Sequence, residues 1–117
     1  MWSGLLAGAD AGHRIRVARR EGRIVGFVRH GPAAEHHGHR PLREEQLYAL
    51  YVLSSSYGHG VGQALLDQAL SGRPAQLWVA KYNARARRFY DKNGFAADGT
   101  EQVDPDLDGL AEIRMVR

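Results

Sequence analysis

The feature that most constrains the fold of this chain is the stretch Tyr51–Leu70, YVLSSSYGHGVGQALLDQAL. An apolar run at Leu47–Leu53 ends at three serines, and a turn with Gly58, Gly60 and Gly62 leads directly into a helical pattern. Glycines let a backbone adopt conformations closed to other residues and pass close to a ligand. The N–H groups of a first helical turn have no partner within the helix. A strand, a glycine turn and a helix start in this order therefore predict a site for a phosphate or diphosphate.

The segments around this turn predict a strand, helix, strand unit. Apolar residues recur every fourth position from Val61 to Leu70, which is the stripe of an amphipathic helix. Gly72 and Pro74 end this helix, and Leu77–Ala80 then reads as a short buried strand. A strand, helix, strand unit joins parallel strands by a right-handed crossover. The run Leu47–Leu53 is nearly continuous in apolar residues, so we expect that strand to be covered on both faces.

The rest of the chain predicts antiparallel strands. Ile15–Arg19 and Arg23–Arg29 alternate in polarity around the turn residues at 21 and 22, as in a hairpin. Phe95–Gln102 and Leu110–Val116 read as two closing strands separated by an acidic turn. Pro32–Pro41 has no apolar periodicity and is expected to be a loop. The sequence thus predicts an α/β fold of the α+β type, with a mixed, mostly antiparallel sheet, a central strand, helix, strand crossover and flanking helices.

Composition narrows the class of protein. With 117 residues, of which 44% are hydrophobic and 25% charged, the chain is expected to form a single domain over residues 1–117. It has no apolar run long enough for a membrane span and no signal-peptide pattern, so we expect a cytoplasmic protein. The lack of cysteine excludes a thiol nucleophile and thiolate ligands. A net charge of +3 favours an acidic ligand only weakly, and without a basic stripe carrying aromatic residues we expect no nucleic-acid partner.

A second motif lies in the helix ARARRFYDK. Asn83 is placed to cap its start, and Gly94 marks its end. Tyr90 follows Asn83 by seven residues, which is two helical turns, so both lie on the same side of the helix about 10 Å apart along its axis. This spacing suits a long ligand.

The two segments LYVLSSSYGHGVGQALL and LWVAKYNARARRFYDKNGF resemble the acetyl-CoA-binding half of the GNAT superfamily of N-acetyltransferases. The resemblance covers residues 14–117. The family's glycine turn has the form Q/R-x-x-G-x-G/A, and Tyr57 stands here where Gln or Arg is usual. The resemblance implies transfer of an acetyl group from acetyl-CoA to a primary amine of a small molecule or peptide, by direct attack and without a metal.

The resemblance also assigns cofactor contacts to particular positions. The backbone of Leu50, Tyr51 and Val52 would pair with the pantetheine arm like an added strand. Asn83 would hydrogen-bond the cofactor. The diphosphate would be held by the turn, whose residues are Tyr57, Gly58, His59, Gly60, Val61 and Gly62.

For catalysis, the resemblance implies that Tyr90 faces the sulfur and donates a hydrogen bond or proton to the departing thiolate. With reference pKa values of about 10 for tyrosine and 8.5 for a thiol, full transfer is uphill by roughly 2 kcal/mol. The amine must lose a proton, and many relatives carry glutamate where Gln46 stands. Gln46 cannot accept a proton, so Glu45 becomes one candidate, although strand alternation puts it on the opposite face unless the strand has a bulge. The other candidates are Glu44, bulk water and a histidine of the set His36, His37 and His39.

Several segments carry structural expectations instead. The three histidines are expected on a solvated loop, and Trp78 and Tyr82 in packing. The arginines of the second helix are expected on a solvated face; these are Arg85, Arg87 and Arg88.

The N-terminus departs from the family pattern. By resemblance, Met1–Leu6 is the last turn of a family helix, left by truncation, a late start codon or a naturally short relative. A partner chain, for example in a homodimer, would then cover the gap, or the core is exposed there. The alternative function is a CoA-binding protein without transferase activity.

Overall fold

The structure is a computed structural model that describes residues 3–10, 12–105 and 109–117. Within them the chain forms seven strands, two α-helices and a short 3-10 helix at Ser54–Ser56. The strands are β1 (Ser3–Asp10), β2 (His13–Arg20), β3 (Arg23–Pro32), β4 (Glu45–Val52), β5 (Gln76–Ala80), β6 (Ala96–Asp104) and β7 (Leu110–Val116). The helices are α1 (Val61–Leu70) and α2 (Ala84–Lys92). The chain divides into two compact units, residues 1–32 with 47–73 and residues 33–46 with 74–117.

The first unit begins with an antiparallel meander of β1, β2 and β3. The turn between β2 and β3 uses Glu21 at φ 54° and Gly22 at φ 77°, which is the left-handed pair of a two-residue hairpin turn. The predicted hairpin is therefore confirmed. The prediction that Met1–Leu6 ends a helix is wrong, because residues from Ser3 onward pair with β2 as a strand. Met1 and Trp2 lie outside the described residues.

Helix α1 packs on this meander at Gly26 of β3, which has no side chain to hold the two elements apart. A Cβ on Gly26 of β3 would lie 2.6 Å from the carbonyl oxygen of Tyr51 and 3.3 Å from Val61 and Leu65. Glycine at this position therefore lets β3, β4 and α1 approach closely. The N–H of Leu53 donates to the carbonyl of Val25 over 2.8 Å, so the end of β4 follows β3. The apolar stripe predicted for α1 is buried, which confirms it.

The second unit contains an antiparallel sheet in the order β5, β7, β6. Leu77 pairs with Met115 and Trp78 with Arg114, so alternate residues of these strands share a face. Phe95 and Leu77, each 1% exposed, are the centre of the core in this unit. Helix α2 ends at Lys92 with Asn93 as its C-cap, and Gly94 at φ 88° turns the chain into β6.

The α/β fold class predicted from the sequence is confirmed, with a mostly antiparallel strand arrangement and two helices. The predicted parallel crossover would join the two units and stays a prediction. Neither helix in the described part of the chain is long and apolar enough to cross a membrane.

Candidate functional site

The glycine turn has the backbone geometry of a ligand-binding loop. Gly58 and Gly60 adopt φ angles of +81° and +76°, which lie in the left-handed region that favours glycine. Gly60 is the N-cap of α1, and Gly62 is the second residue of the helix. A Cβ built on Gly58 or Gly60 would meet nothing within 4 Å, so the space beside the turn is open. The turn therefore exposes its backbone to whatever approaches.

The first turn of α1 leaves its N–H groups without side-chain caps. The first helical hydrogen bond runs from the N–H of Ala64 to the carbonyl of Gly60, over 3.0 Å. Among the described residues, no side chain makes a capping hydrogen bond at the start of α1, and no acidic residue lies in its first turn. The N–H groups of the first turn and the partial positive charge of the helix end are thus available to an anion.

The carboxyl half of β4 is more exposed than its apolar sequence predicts. The side chain of Tyr51 is 52% exposed, and those of Leu50 and Val52 are intermediate. The expectation of a strand covered on both faces is therefore wrong for this half. The Tyr51 ring lies 6.0 Å from that of Phe27, which is itself exposed.

The side chains of the turn differ in what they do. Val61 is 1% exposed and faces Gly26, so it anchors the helix start. Tyr57 and His59 are exposed. The binding predicted for the turn rests on its main chain.

In the second unit, Asn83 caps α2 as predicted. Its Oδ1 accepts a hydrogen bond from the N–H of Ala86 over 3.1 Å, and its own N–H donates to the carbonyl of Ala80 over 3.0 Å. The cap fixes the side chain at the point where β5 gives way to α2. Its proposed role toward a cofactor would add to this capping role.

Tyr90 lies one turn from the end of α2 and is 8% exposed. Its ring makes edge contacts with Phe89 at 5.5 Å and Phe95 at 5.8 Å between centroids. This burial raises the pKa of the Tyr90 hydroxyl to about 12. The hydroxyl therefore keeps its proton throughout the neutral range and can donate a hydrogen bond.

The raised pKa of Tyr90 predicts a loss of stability in alkali. The folded state holds this proton more tightly than the unfolded state, where the pKa of tyrosine is about 10. The stabilisation is complete below about pH 10 and is lost as the pH rises through about 12. Between about pH 9 and pH 11, denaturant unfolding should show the wild type losing roughly 1 kcal/mol more free energy of unfolding than Tyr90→Phe. Tyr82→Phe, at a ring that is 83% exposed, should keep the wild-type dependence.

Gln46 is held in a buried amide ladder. It is 5% exposed, and its Oε1 accepts a hydrogen bond from Gln76 Nε2 over 3.0 Å. Gln76 Oε1 in turn accepts from the N–H of Leu42 over 2.7 Å. Gln46 is thus a structural link between the β4 start and β5. Glu45 is half-buried at the first position of β4.

Two of the three loop histidines are fixed in place. His36 Nε2 lies 2.9 Å from Glu112 Oε1, and His39 Nε2 lies 3.1 Å from Gln102 Oε1. The expectation of a solvated loop is wrong for both, because their rings also pack against Trp78. In the described part of the chain, no three His, Cys, Asp or Glu side chains are grouped so that they could hold a metal ion.

Three further side-chain expectations have mixed outcomes. Trp78 packs between histidine rings and Arg114, as expected. Tyr82 is 83% exposed, so the packing expected for it is wrong. Arg87 donates from Nη1 to the carbonyl of Lys81 over 2.8 Å and is not a solvated side chain, whereas Arg85 and Arg88 are exposed.

The sequence reading missed Glu112 and Gln76. Neither residue lies in a recognisable motif, and each is defined by partners at least 30 positions away in the chain. Glu112 lies on the predicted strand Leu110–Val116, and alternation along that strand was its one local signal, whereas Gln76 precedes the predicted strand Leu77–Ala80.

Comparison with known proteins assigns the family. The sequence profile described as the Acetyltransferase (GNAT) domain matches residues 11–97 of this chain. The chain belongs to the GNAT acetyltransferase family. The resemblance predicted from the two motifs is therefore confirmed.

A GNAT relative supports the same assignment. The probable N-acetyltransferase Rv2775 of Mycobacterium tuberculosis is 38% identical over 102 residues, which cover 85% of this chain and 56% of that protein. This GNAT chain therefore spans little more than half the length of that relative.

Solved GNAT structures share the fold. The ribosomal-protein-alanine N-acetyltransferase from Brucella melitensis is 26% identical with a TM-score of 0.71, over 91% of this chain and 68% of that one. A Bacillus anthracis protein described as a streptothricin acetyltransferase, solved in complex with acetyl-CoA, is 20% identical with a TM-score of 0.72, over 92% and 62% of the two chains.

Proposed function

We propose that this chain binds acetyl-CoA as a co-substrate and transfers the acetyl group to a primary amine. The observation that carries the proposal is the uncapped N-terminus of α1 behind Gly58 and Gly60, whose left-handed backbone exposes N–H groups to an anion. The diphosphate of CoA has the charge and the acceptor oxygens that such a site binds. The family assignment and the acetyl-CoA complex of the B. anthracis neighbour support this choice of ligand.

The proposed contacts follow the main chain of the first unit. The N–H groups of the turn from Tyr57 to Gly62 would hold the diphosphate. The backbone of Leu50, Tyr51 and Val52 would bind the pantetheine arm as an added strand. The exposure of Tyr51 and the intermediate exposure of its neighbours are compatible with such a ligand. Asn83 would contribute one further hydrogen bond.

The proposed reaction is a direct transfer. The amine nitrogen attacks the thioester carbonyl, so that a C–N bond forms, the C–S bond breaks and CoA leaves as a thiolate. Tyr90 would stabilise this thiolate. Because its pKa is about 12 and that of a thiol is about 8.5, full proton transfer from Tyr90 to sulfur would cost about 5 kcal/mol. Donation of a hydrogen bond by the neutral hydroxyl is the role that fits.

The attacking amine must first be neutral. Gln46 has no basic atom and its amide is already hydrogen-bonded to Gln76. Glu45 is the candidate proton acceptor on β4 from the sequence. The acceptor is proposed to be an amine of a small molecule or a peptide. The protein is proposed to act in the cytoplasm, and the homodimer suggested by the sequence stays a prediction.

The second candidate function is CoA binding without transfer. The structural role of Gln46 favours it, since a buried, hydrogen-bonded amide stands where a base is expected. Thiol release in the presence of amines separates the two candidates.

The test is a titration of the purified protein with acetyl-CoA and CoA, followed by heat and by melting temperature. At a ligand concentration of 100 times Kd, we expect a gain of about 2.7 kcal/mol in the free energy of unfolding. A short DNA duplex serves as the control and should give no gain. The same samples are then assayed for thiol release with a panel of primary amines. Lack of stabilisation by either CoA species would contradict both candidate functions.

A further inference from the structure

The segment between β3 and β4 contains a small hairpin built from histidines. The N–H of His36 donates to the carbonyl of His39 over 3.1 Å, and the N–H of His39 donates back over 2.9 Å. The two residues between them, His37 and Gly38, have φ angles of 47° and 83°, which is the left-handed pair of a two-residue turn. The backbone therefore presents the side chains of His36 and His39 from fixed positions.

The side chains of His36 and His39 pack on the sheet of the second unit. The ring of His36 lies 4.6 Å from that of Trp78, and its Nε2 is 2.9 Å from Glu112 Oε1. The side chains of His36 and Glu112 are 30% and 20% exposed, so the pair is partly buried but still accessible to solvent. His39 packs on the same tryptophan at 5.5 Å, but its partner is the neutral amide of Gln102.

Glu112 sets the tautomer of His36. An ionised carboxylate can only accept hydrogen bonds, so Nε2 of His36 carries the proton that it donates to Glu112. In the neutral ring, Nδ1 then carries the lone pair. A histidine oriented by a carboxylate in this way is the arrangement of a general base, because the carboxylate also stabilises the ring once it is positively charged.

The pair lies at the end of β5 where α2 begins. Glu112 is the cross-strand partner of Ala80, the last residue of β5. The carbonyl of Ala80 accepts the N–H of Asn83, the residue proposed to contact the cofactor. Trp78, which contacts the His36 ring, is two residues from Gln76 in β5, so their side chains lie on the same face of the strand. Through Ala80, the pair is thus close in the sheet to Asn83, one residue of the proposed site.

We propose that His36, oriented by Glu112, accepts the proton of the attacking amine. This inference rests on the proposed function and replaces Glu45 as the proton acceptor. An aliphatic amine with a pKa near that of lysine, about 10.4, is protonated in all but roughly one molecule in a thousand at neutral pH. The neutral fraction, which has lost one proton to solvent, attacks the thioester carbonyl. The nitrogen passes its second proton to Nδ1 as the C–N bond forms and the C–S bond breaks. The ring later releases that proton to solvent, and CoA leaves as the thiolate. Glu112 acts as a positioning residue.

The charged and titratable groups around His36 come from three elements. Glu112 on β7 is in direct contact, and His37 lies 4.6 Å away in the same hairpin. His39 and Arg114 pack against the same tryptophan. The Arg114 guanidinium is paired with Asp98 over 2.6 Å, so Glu112 is the charge that acts most directly on the His36 ring.

The test compares His36→Gln with His39→Gln in the intact chain. Both variants remove a ring from Trp78, but only the first removes the proposed base. In His36→Gln we expect a fall in kcat of about a hundredfold with acetyl-CoA affinity unchanged, loss of the acid limb of the kcat profile against pH, and partial rescue by added imidazole. His39→Gln should keep the acid limb. In Glu112→Gln kcat should also fall with acetyl-CoA affinity unchanged, because the ring loses the carboxylate acceptor that fixes its tautomer.

Three results would overturn the inference while leaving the proposed function in place. The first is a wild-type acid limb that survives in His36→Gln, and the second is its loss in Glu45→Gln instead. The third is an equal effect of His36→Gln and His39→Gln with no rescue by imidazole, which would indicate a purely structural role. A wild type that binds acetyl-CoA but acetylates no amine would remove the transferase proposal and this inference together. Normal wild-type turnover with an unchanged His36→Gln profile would remove this inference alone.

Discussion

Replacing Gly60 with glutamate is expected to abolish acetyl-CoA binding, with a loss of at least about a hundredfold in affinity, or roughly 3 kcal/mol. The carboxylate would lie beside the first turn of α1, where it would occupy the uncapped N–H groups and repel the diphosphate. The measurement is a calorimetric titration of each variant with acetyl-CoA.

The matched control for this substitution is Gly22→Glu. Gly22 has φ +77° against +76° for Gly60, and neither position has an atom within 4 Å of a built Cβ. Each glutamate would therefore cost a similar amount of stability, of order 1–3 kcal/mol for a left-handed residue. Only Gly60→Glu should lose binding. Equal affinity in the two variants would remove the diphosphate from this turn.

The second large effect is expected in Tyr90→Phe, whose kcat should fall about 10- to 100-fold. The ring and its contacts with Phe89 and Phe95 are kept, and one hydrogen bond to a developing negative charge is lost, which is worth about 1.5–3 kcal/mol. Acetyl-CoA affinity should change by less than about threefold, since a hydrogen bond made only in the transition state does not contribute to ground-state binding. Single-turnover kinetics and calorimetry measure the two quantities separately.

The pH dependence gives a further check on Tyr90. Because burial raises the pKa of its hydroxyl to about 12, the donor stays protonated well beyond pH 10. Near pH 10, the turnover of the wild type should therefore depend on pH in the same way as the turnover of Tyr90→Phe. Tyr82→Phe, on an exposed ring, is the control for chemistry and should retain wild-type kcat. Unchanged turnover in Tyr90→Phe would exclude this side chain from the reaction.

Elements with strong local signals were predicted closely from the sequence. Helix α2 occupies Ala84–Lys92, as expected from a capping asparagine before it and a left-handed glycine after it. The same holds for α1, whose apolar stripe and terminal glycine act within a few residues of one another. Such signals are visible because the hydrogen bonds that decide them join neighbours in the chain.

The failures concern contacts between distant residues. The segment from Ser3 was expected in a helix, but its pairing with β2 makes it a strand. His36 and His39 were expected in solvent, yet their partners Glu112 and Gln102 are 76 and 63 positions away. Tertiary pairing of this kind overrides local pattern, and a single sequence gives no sign of it.

The candidate site shows the same difference between features set by neighbouring residues and features set by distant ones. The geometry of the glycine turn and the positions of Asn83 and Tyr90 along α2 were predicted from local spacing, and their roles toward a cofactor stay predictions. The carboxylate beside a histidine was not, because the partner lies on another strand. The buried state of Tyr90 and the raised pKa that follows from it also depend on Phe95, which belongs to the chain beyond the helix.

The missing cap on α1 has a consequence for the protein when no ligand is bound. With Gly60 at the N-cap, no side chain makes a capping hydrogen bond at the start of α1, although glycine there costs only about a few tenths of a kcal/mol relative to serine. Val61 anchors the first turn of α1, and a diphosphate bound there would act as the absent cap. Susceptibility of this turn to proteases would then fall as the supply of acetyl-CoA rises. The lifetime of the protein in a cell would in this way depend on the abundance of its proposed co-substrate.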